Sequence, residues 1–131
     1  MPLFTWNDSY SVSVQQFDDQ HKVLFKLIND LHEAMLQGKG RERMSGITAE
    51  LLQYTKNHFR DEEAALLRAH YPKLVEHKKM HDAFTAKVHE FDKECRSGRS
   101  NLSLDVMVFL RDWLSDHILK IDKQYVTYIT H

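Results

Sequence analysis

Apolar residues recur along most of this chain at alternating intervals of three and four, and in each of four stretches a histidine takes a place in the repeat. From Leu74 the series runs His77, His81, Phe84, Val88, Phe91 and Cys95, a heptad seam with two histidines at core positions. Phe17, His21, Leu24, Ile28, Leu31 and Met35 make a second such face. Ile47, Leu51, Tyr54 and His58, with Glu62 and Ala65 on the same side, make a third, and Val106, Leu110, Trp113, His117 and Ile121 a fourth. The pattern predicts an all-α chain with helices over 18–37, 41–69, 73–97 and 102–120. Gly38 and Gly40, Tyr71-Pro72, and Ser97-Gly98 with Ser100-Asn101 supply the breaks. Connections this short make neighbouring helices antiparallel, hence an up-down-up-down four-helix bundle. Residues 1–17 form an N-terminal arm whose Phe4, Trp6, Tyr10, Val12 and Val14 are too apolar for a free tail, so it is expected to lie across the bundle. Residues 121–131 are a C-terminal segment, and 1–131 reads as one domain.

The polar members of the seams carry the chemistry. A buried polar side chain without a partner is costly, so something must satisfy these residues. His21 lies near the start of the first helix, His58 near the end of the second, His77 and His81 near the start of the third, and His117 near the end of the fourth. In an up-down-up-down bundle those places are one end, so helical phase and sequence position converge on one small volume. A metal site explains the convergence. Asp122 is the awkward donor: five residues beyond His117 is about 140° off its face in a regular α-helix. The fourth helix is therefore expected to end or deform between Ile118 and Asp122.

Composition narrows the partners. Eighteen basic and nineteen acidic residues leave a net charge of −1, with no basic stripe for nucleic acid or anionic membrane. No apolar run is long enough to span a bilayer, and Met1 to Tyr10 lacks a signal-peptide pattern, so a cytoplasmic protein is expected. Nothing in the seams demands a second subunit, and a monomer is expected. The single Cys95 excludes an internal disulfide and reads as a small core hydrophobe. His32, His70, His89 and His131 lie off the seams and read as solvated, as does Glu63, about 100° round the helix from Glu62.

Five imidazoles and two carboxylates, with no thiolate, suit a borderline metal such as iron, manganese or zinc. Seven donors are too many for one tetrahedral ion. If Glu62 and Asp122 each bridge two metals, the donors and one shared oxygen fill all but one position of two octahedra, leaving a place for a small molecule. The motifs that carry these donors resemble the hemerythrin family in its bacterial single-domain form: Trp6-Asn7-Asp8, Asp19-Gln20-His21-Lys22-x-Leu24-Phe25, His58-Phe59-x-x-Glu62-Glu63, His77-x-x-x-His81, and Trp113-Leu114-x-x-His117-Ile118 followed by Asp122. The resemblance covers essentially the whole chain. It implies a non-haem di-iron centre that binds dioxygen reversibly. Within it, His77, His81 and His117 hold one iron, His21 and His58 hold the iron with the open position, and Glu62, Asp122 and an oxo or hydroxo group bridge the pair. A dry pocket is needed to keep bound oxygen from being spent, and Leu24, Phe25, Phe59, Trp113, Leu114 and Ile118 are its candidate walls.

Three function classes compete. A dioxygen-binding protein that is not an enzyme, carrying, storing or delivering oxygen to an oxygen-consuming enzyme, uses every donor. An oxygen-activating enzyme or ferroxidase of the carboxylate-bridged type uses Glu-x-x-His pairs, and none occurs in this chain. A metal phosphohydrolase built on the doublet His81-Asp82 leaves His21, Glu62 and His77 without roles.

Overall fold

The computed structural model describes residues 4–98 and 102–129, so the Ser100-Asn101 break and His131 lie outside the described residues. The chain runs through α1 (Gln15–Leu36), α2 (Gly40–Tyr54), a π-helical segment (Thr55–Phe59), α3 (Arg60–Arg68), α4 (Leu74–Arg96), α5 (Leu102–Asp112), a second π segment (Trp113–Ile121), a 3-10 turn (Asp122–Tyr125) and α6 (Val126–Ile129). The units α2–π–α3 and α5–π each make one continuous rod. With α1 and α4 they form the four-helix bundle that the periodicity predicted. The first helix begins three residues earlier than expected, because Asp18 in its first turn accepts the Val12 N–H at 2.8 Å and the Ser11 hydroxyl at 2.7 Å. Those bonds dock the end of the arm onto the helix.

Two turns close the bundle by backbone chemistry that the sequence advertises unevenly. Gly38 takes φ +72°, which only glycine adopts without penalty, and Gly40 opens α2 where an added Cβ would lie 2.9 Å from Met35 Cγ. At the other end His70 adopts φ +55°. The Tyr71 N–H then bonds back to the Leu66 carbonyl at 3.0 Å, closing α3 with a left-handed cap residue before Pro72. His70 is exposed, so this histidine serves the chain reversal.

The core is divided. The larger cluster holds Leu24, Ile28, Leu31, Ile47, Leu51, Phe84, Val88, Phe91, Val106, Leu110 and Leu114, nearly all fully buried. A smaller one holds Val12, Phe17, Leu66, Tyr71 and Tyr125. Phe17 precedes His21 by about one turn and Leu66 follows Glu62 by one, whereas on the other side Leu24 follows His21 and Tyr54 precedes His58 by about one turn. The polar residues of the seams thus lie between two apolar layers. The arm crosses the bundle as expected: the Phe4 N–H and carbonyl both pair with the Asn29 amide at 2.8 Å, while Trp6 and Tyr10 pack on Phe25. Cys95 is half-buried against the larger cluster.

Candidate metal centre

His21, His58, Glu62, His77, His81, His117 and Asp122 meet at one end of the bundle, each at most 4% exposed. The two carboxylates organise the group. Glu62 turns Oε1 to His77 Nε2 at 2.7 Å and His81 Nε2 at 3.0 Å, and Oε2 to His58 Nε2 at 3.2 Å and His21 Nε2 at 3.7 Å. Asp122 repeats the division, with Oδ1 near His77 Nε2 at 3.1 Å and His117 Nε2 at 3.0 Å, and Oδ2 near His21 Nε2 at 3.2 Å. Each carboxylate therefore faces a three-histidine group with one oxygen and a two-histidine group with the other. Five Nε2 atoms point inward, and many pairs stand close without hydrogen-bond geometry: His81 Nε2, His117 Nε2 and both Asp122 oxygens are buried with no hydrogen-bond partner. Neutral imidazole nitrogens and carboxylates crowded in this way are suited to a shared cation.

Local helix geometry puts the donors in phase. The deformation expected before Asp122 is the π segment Trp113–Ile121, at whose end the Asp122 N–H bonds to the His117 carbonyl. A bond to the fifth preceding residue brings His117 and Asp122 onto one side, where an α-helix would separate them by about 140°. The π segment Thr55–Phe59 was not expected. Buried positions Tyr54, His58, Glu62 and Leu66 step by four, which drifts by about 40° per step on an α-helix, and the wider turn absorbs much of that drift.

Outer partners fix the rings. Asp61 Oδ2 accepts from the Gln20 amide nitrogen at 2.9 Å, and a carboxylate can only accept. Gln20 Oε1 is therefore left to accept from His58 Nδ1 at 2.5 Å, so the proton sits on Nδ1 and the Nε2 lone pair faces inward. His81 Nδ1 likewise donates to Glu63 Oε2 at 2.8 Å. Glu63 corrects the expectation of a purely solvated residue: the 100° that takes it off the seam points it at α4, where His81 lies. The Tyr125 hydroxyl donates to Glu62 Oε2 at 2.9 Å. Sequence reasoning missed Gln20, Glu63 and Tyr125.

The charges explain what the cluster requires. Burial acts to raise Glu62, and burial with the neighbouring Glu62 charge acts to raise Asp122, yet the surrounding histidines hold both carboxyls below the usual carboxylate range. Burial acts to lower His21 and His77, but the carboxylates of Asp122 and Glu62 prevail and lift each to about 9. Burial keeps His58 and His117 below the ordinary value. Two buried anions draw positive charge to this volume, and protons or metal cations can supply it.

The family described as the hemerythrin HHE cation binding domain matches residues 12–129. The chain belongs to the hemerythrin family. It is 33% identical over 126 residues to a bacteriohemerythrin of Methylococcus capsulatus, covering 95% of each chain. It is 30% identical over 122 residues to the myohemerythrin of Riftia pachyptila, covering 93% of this chain and 90% of that one. A wild-type hemerythrin crystal structure superposes with a TM-score of 0.87 at 31% identity, over 98% of this chain and 99% of that one.

In this hemerythrin, Leu24, Phe25, Phe59, Leu114 and Ile118 are buried and Trp113 is partly so, all within the larger cluster. Phe59 stacks on His81 at 3.8 Å and Trp113 on His117 at 3.8 Å, while Phe25 faces the arm through Trp6 and Tyr10. Asp82 is turned to solvent and pairs with Lys78 at 3.3 Å, so the doublet His81-Asp82 is split between the site and the surface. His89 is exposed and His32 half-buried, outside the cluster. No helix among the described residues is long and apolar enough to cross a membrane.

Proposed function

We propose that this hemerythrin binds dioxygen reversibly at a non-haem di-iron centre and serves carriage, storage or delivery, without acting as an enzyme. His77, His81 and His117 would hold one iron and His21 and His58 the other, while Glu62 and Asp122, together with an oxo or hydroxo group, would serve both. The observation that carries this is the two-way division of both carboxylates, each giving one oxygen to a three-histidine group and the other to a two-histidine group. Two irons held there would supply the reversible redox chemistry that dioxygen binding needs. The chain's own part would be to hold both ions, offer one histidine fewer on the His21 and His58 side so that a small molecule has room there, and exclude water. Histidine-rich ligation with few anionic donors disfavours high-valent iron, and the walls Leu24, Phe25, Phe59, Trp113, Leu114 and Ile118 keep protons from the bound gas. The test is the visible spectrum of the anaerobically reduced, iron-loaded protein before oxygen, after oxygen, and after its removal. Two irons per chain and a colour that comes and goes support the proposal. Colour that forms once while an oxidised product accumulates refutes it in favour of an oxygen-activating enzyme.

A further inference from the structure

The two histidine groups do not receive the same support from behind. His81, in the three-histidine group, donates Nδ1–H to the Glu63 carboxylate at 2.8 Å. His58, in the two-histidine group, donates Nδ1–H to the Gln20 side-chain carbonyl, a neutral acceptor held in that orientation by Asp61 at 2.9 Å. The Glu63 side chain is 23% exposed and lines a groove together with Lys56, Phe59, Arg60 and Thr85. An anionic acceptor draws the Nδ1 proton outward and enriches the lone pair on Nε2, whereas a neutral amide does so less. Imidazole count acts in the same direction, three against two.

We propose that Glu63 and Gln20 make the two metal positions unequal, so that the His77, His81 and His117 position binds more tightly and fills first. The inference rests on the two-metal assignment above. Its functional consequence is a division of labour: the anionically supported position anchors the pair, and the weakly supported one keeps the Lewis acidity needed to take a further ligand. Glu63 and Gln20 are positioning residues in this scheme, acting through the histidines they hold.

The full chain, stripped of metal with a chelator, is titrated with Zn²⁺ by calorimetry while the histidine ring signals are followed by NMR. At one equivalent the signals of His77, His81 and His117 are expected to move before those of His21 and His58. Glu63→Gln keeps the shape and the hydrogen bond but removes the charge, and should weaken the first step about 10- to 100-fold with little effect on the second. Gln20→Glu made together with Asp61→Asn, which keeps an amide donor facing the new carboxylate, should tighten the second step and narrow the gap. Simultaneous movement of all five rings at half-loading overturns the proposal, as does a Glu63→Gln protein whose two steps weaken equally or not at all. The Gln20→Glu, Asp61→Asn protein supplies an independent arm if Glu63→Gln is poorly folded by circular dichroism, since no change in its second step also overturns the idea. Ordered uptake of two zinc ions in a protein that never binds dioxygen reversibly would overturn the proposed function and leave this inference standing. Equal filling in a reversible oxygen binder would do the reverse.

Discussion

Replacing Leu114 by Ala separates water exclusion from general stability. Leu114 is fully buried in the larger cluster, three residues before His117 and four before Ile118. Removing three carbons from such a site costs about 2–2.5 kcal/mol in transfer free energy, at roughly 0.8 kcal/mol for each buried methylene. The cavity left behind brings the total to about 2–5 kcal/mol. Against a net stability of about 5–15 kcal/mol this is a large fraction, so the melting temperature falls and the assay temperature has to be chosen for each variant. Leu51→Ala is the control: Leu51 has the same burial in the same cluster but lies seven residues before His58, about two turns away. Both variants should therefore lose comparable stability. The assay is the decay of the oxygen-loaded visible spectrum at a temperature where circular dichroism shows each variant fully folded. If Leu114 is part of the wall, only Leu114→Ala decays severalfold faster than the wild type. Equal acceleration in the two variants would refute the wall and make loosened packing the determinant of bound-oxygen lifetime.

Glu62→Ala or Asp122→Ala should empty the two-iron site more completely than His21→Ala, because a bridge supports both ions; full iron content in Glu62→Ala after identical reconstitution would refute the bridging role. In the metal-free protein, His21 and His77 are raised to about 9, so their stabilising contribution is complete below the ordinary histidine value of 6.5 and is lost as pH rises through about 9. The melting temperature of chelator-treated protein should accordingly fall between pH 6 and pH 9.5, and a rise across that window would contradict the assigned charges. Because the same rings must release protons to bind metal, iron uptake near neutral pH should acidify a weakly buffered solution. Tyr125→Phe removes a hydrogen bond to a buried carboxylate and should cost about 1.5–3 kcal/mol by urea denaturation. Tyr54→Phe removes a buried hydroxyl with no hydrogen-bond partner and should be neutral or stabilising; a loss equal to that of Tyr125→Phe would show a partner for Tyr54.

The helices and the convergence of donors were legible because burial imposes a period and the histidines occupy it. Even the irregularity before Asp122 was legible, since the offset of five residues conflicts with an α-helix if both side chains serve one site. The π segment at Thr55–Phe59 was not, because a four-residue step from His58 to Glu62 is also what an α-helix allows; only the repeated fours from Tyr54 to Leu66 hinted at a wider turn. The outer partners were hidden for a different reason. Gln20, Glu63 and Tyr125 act across helices, and periodicity describes one helix at a time. Glu63 had a usable signal: it sits at the level of the donors and 100° toward a neighbour, and a ring that gives Nε2 to a metal is commonly fixed by an acceptor for its Nδ1–H.

That last requirement links fold to chemistry more tightly than the donors alone. A histidine at a seam position can rotate, flip or swap its protonated nitrogen, and any of these would remove the inward lone pair. At His58 the choice is made by a chain of three side chains from two stretches of the sequence, since Asp61 can only accept, which orients the Gln20 amide, which in turn demands the proton on Nδ1. Gln20 stands beside His21 on α1, and Asp61 beside Glu62 on α3. Packing α1 against the second rod thus aligns two donors and sets the tautomer of a third in the same step. A loop-borne site would need each of these choices to be specified separately. In a four-helix bundle one register between rods makes them together, which is why a chain of this size can hold seven buried polar side chains at one end and still keep apolar layers on both sides of them.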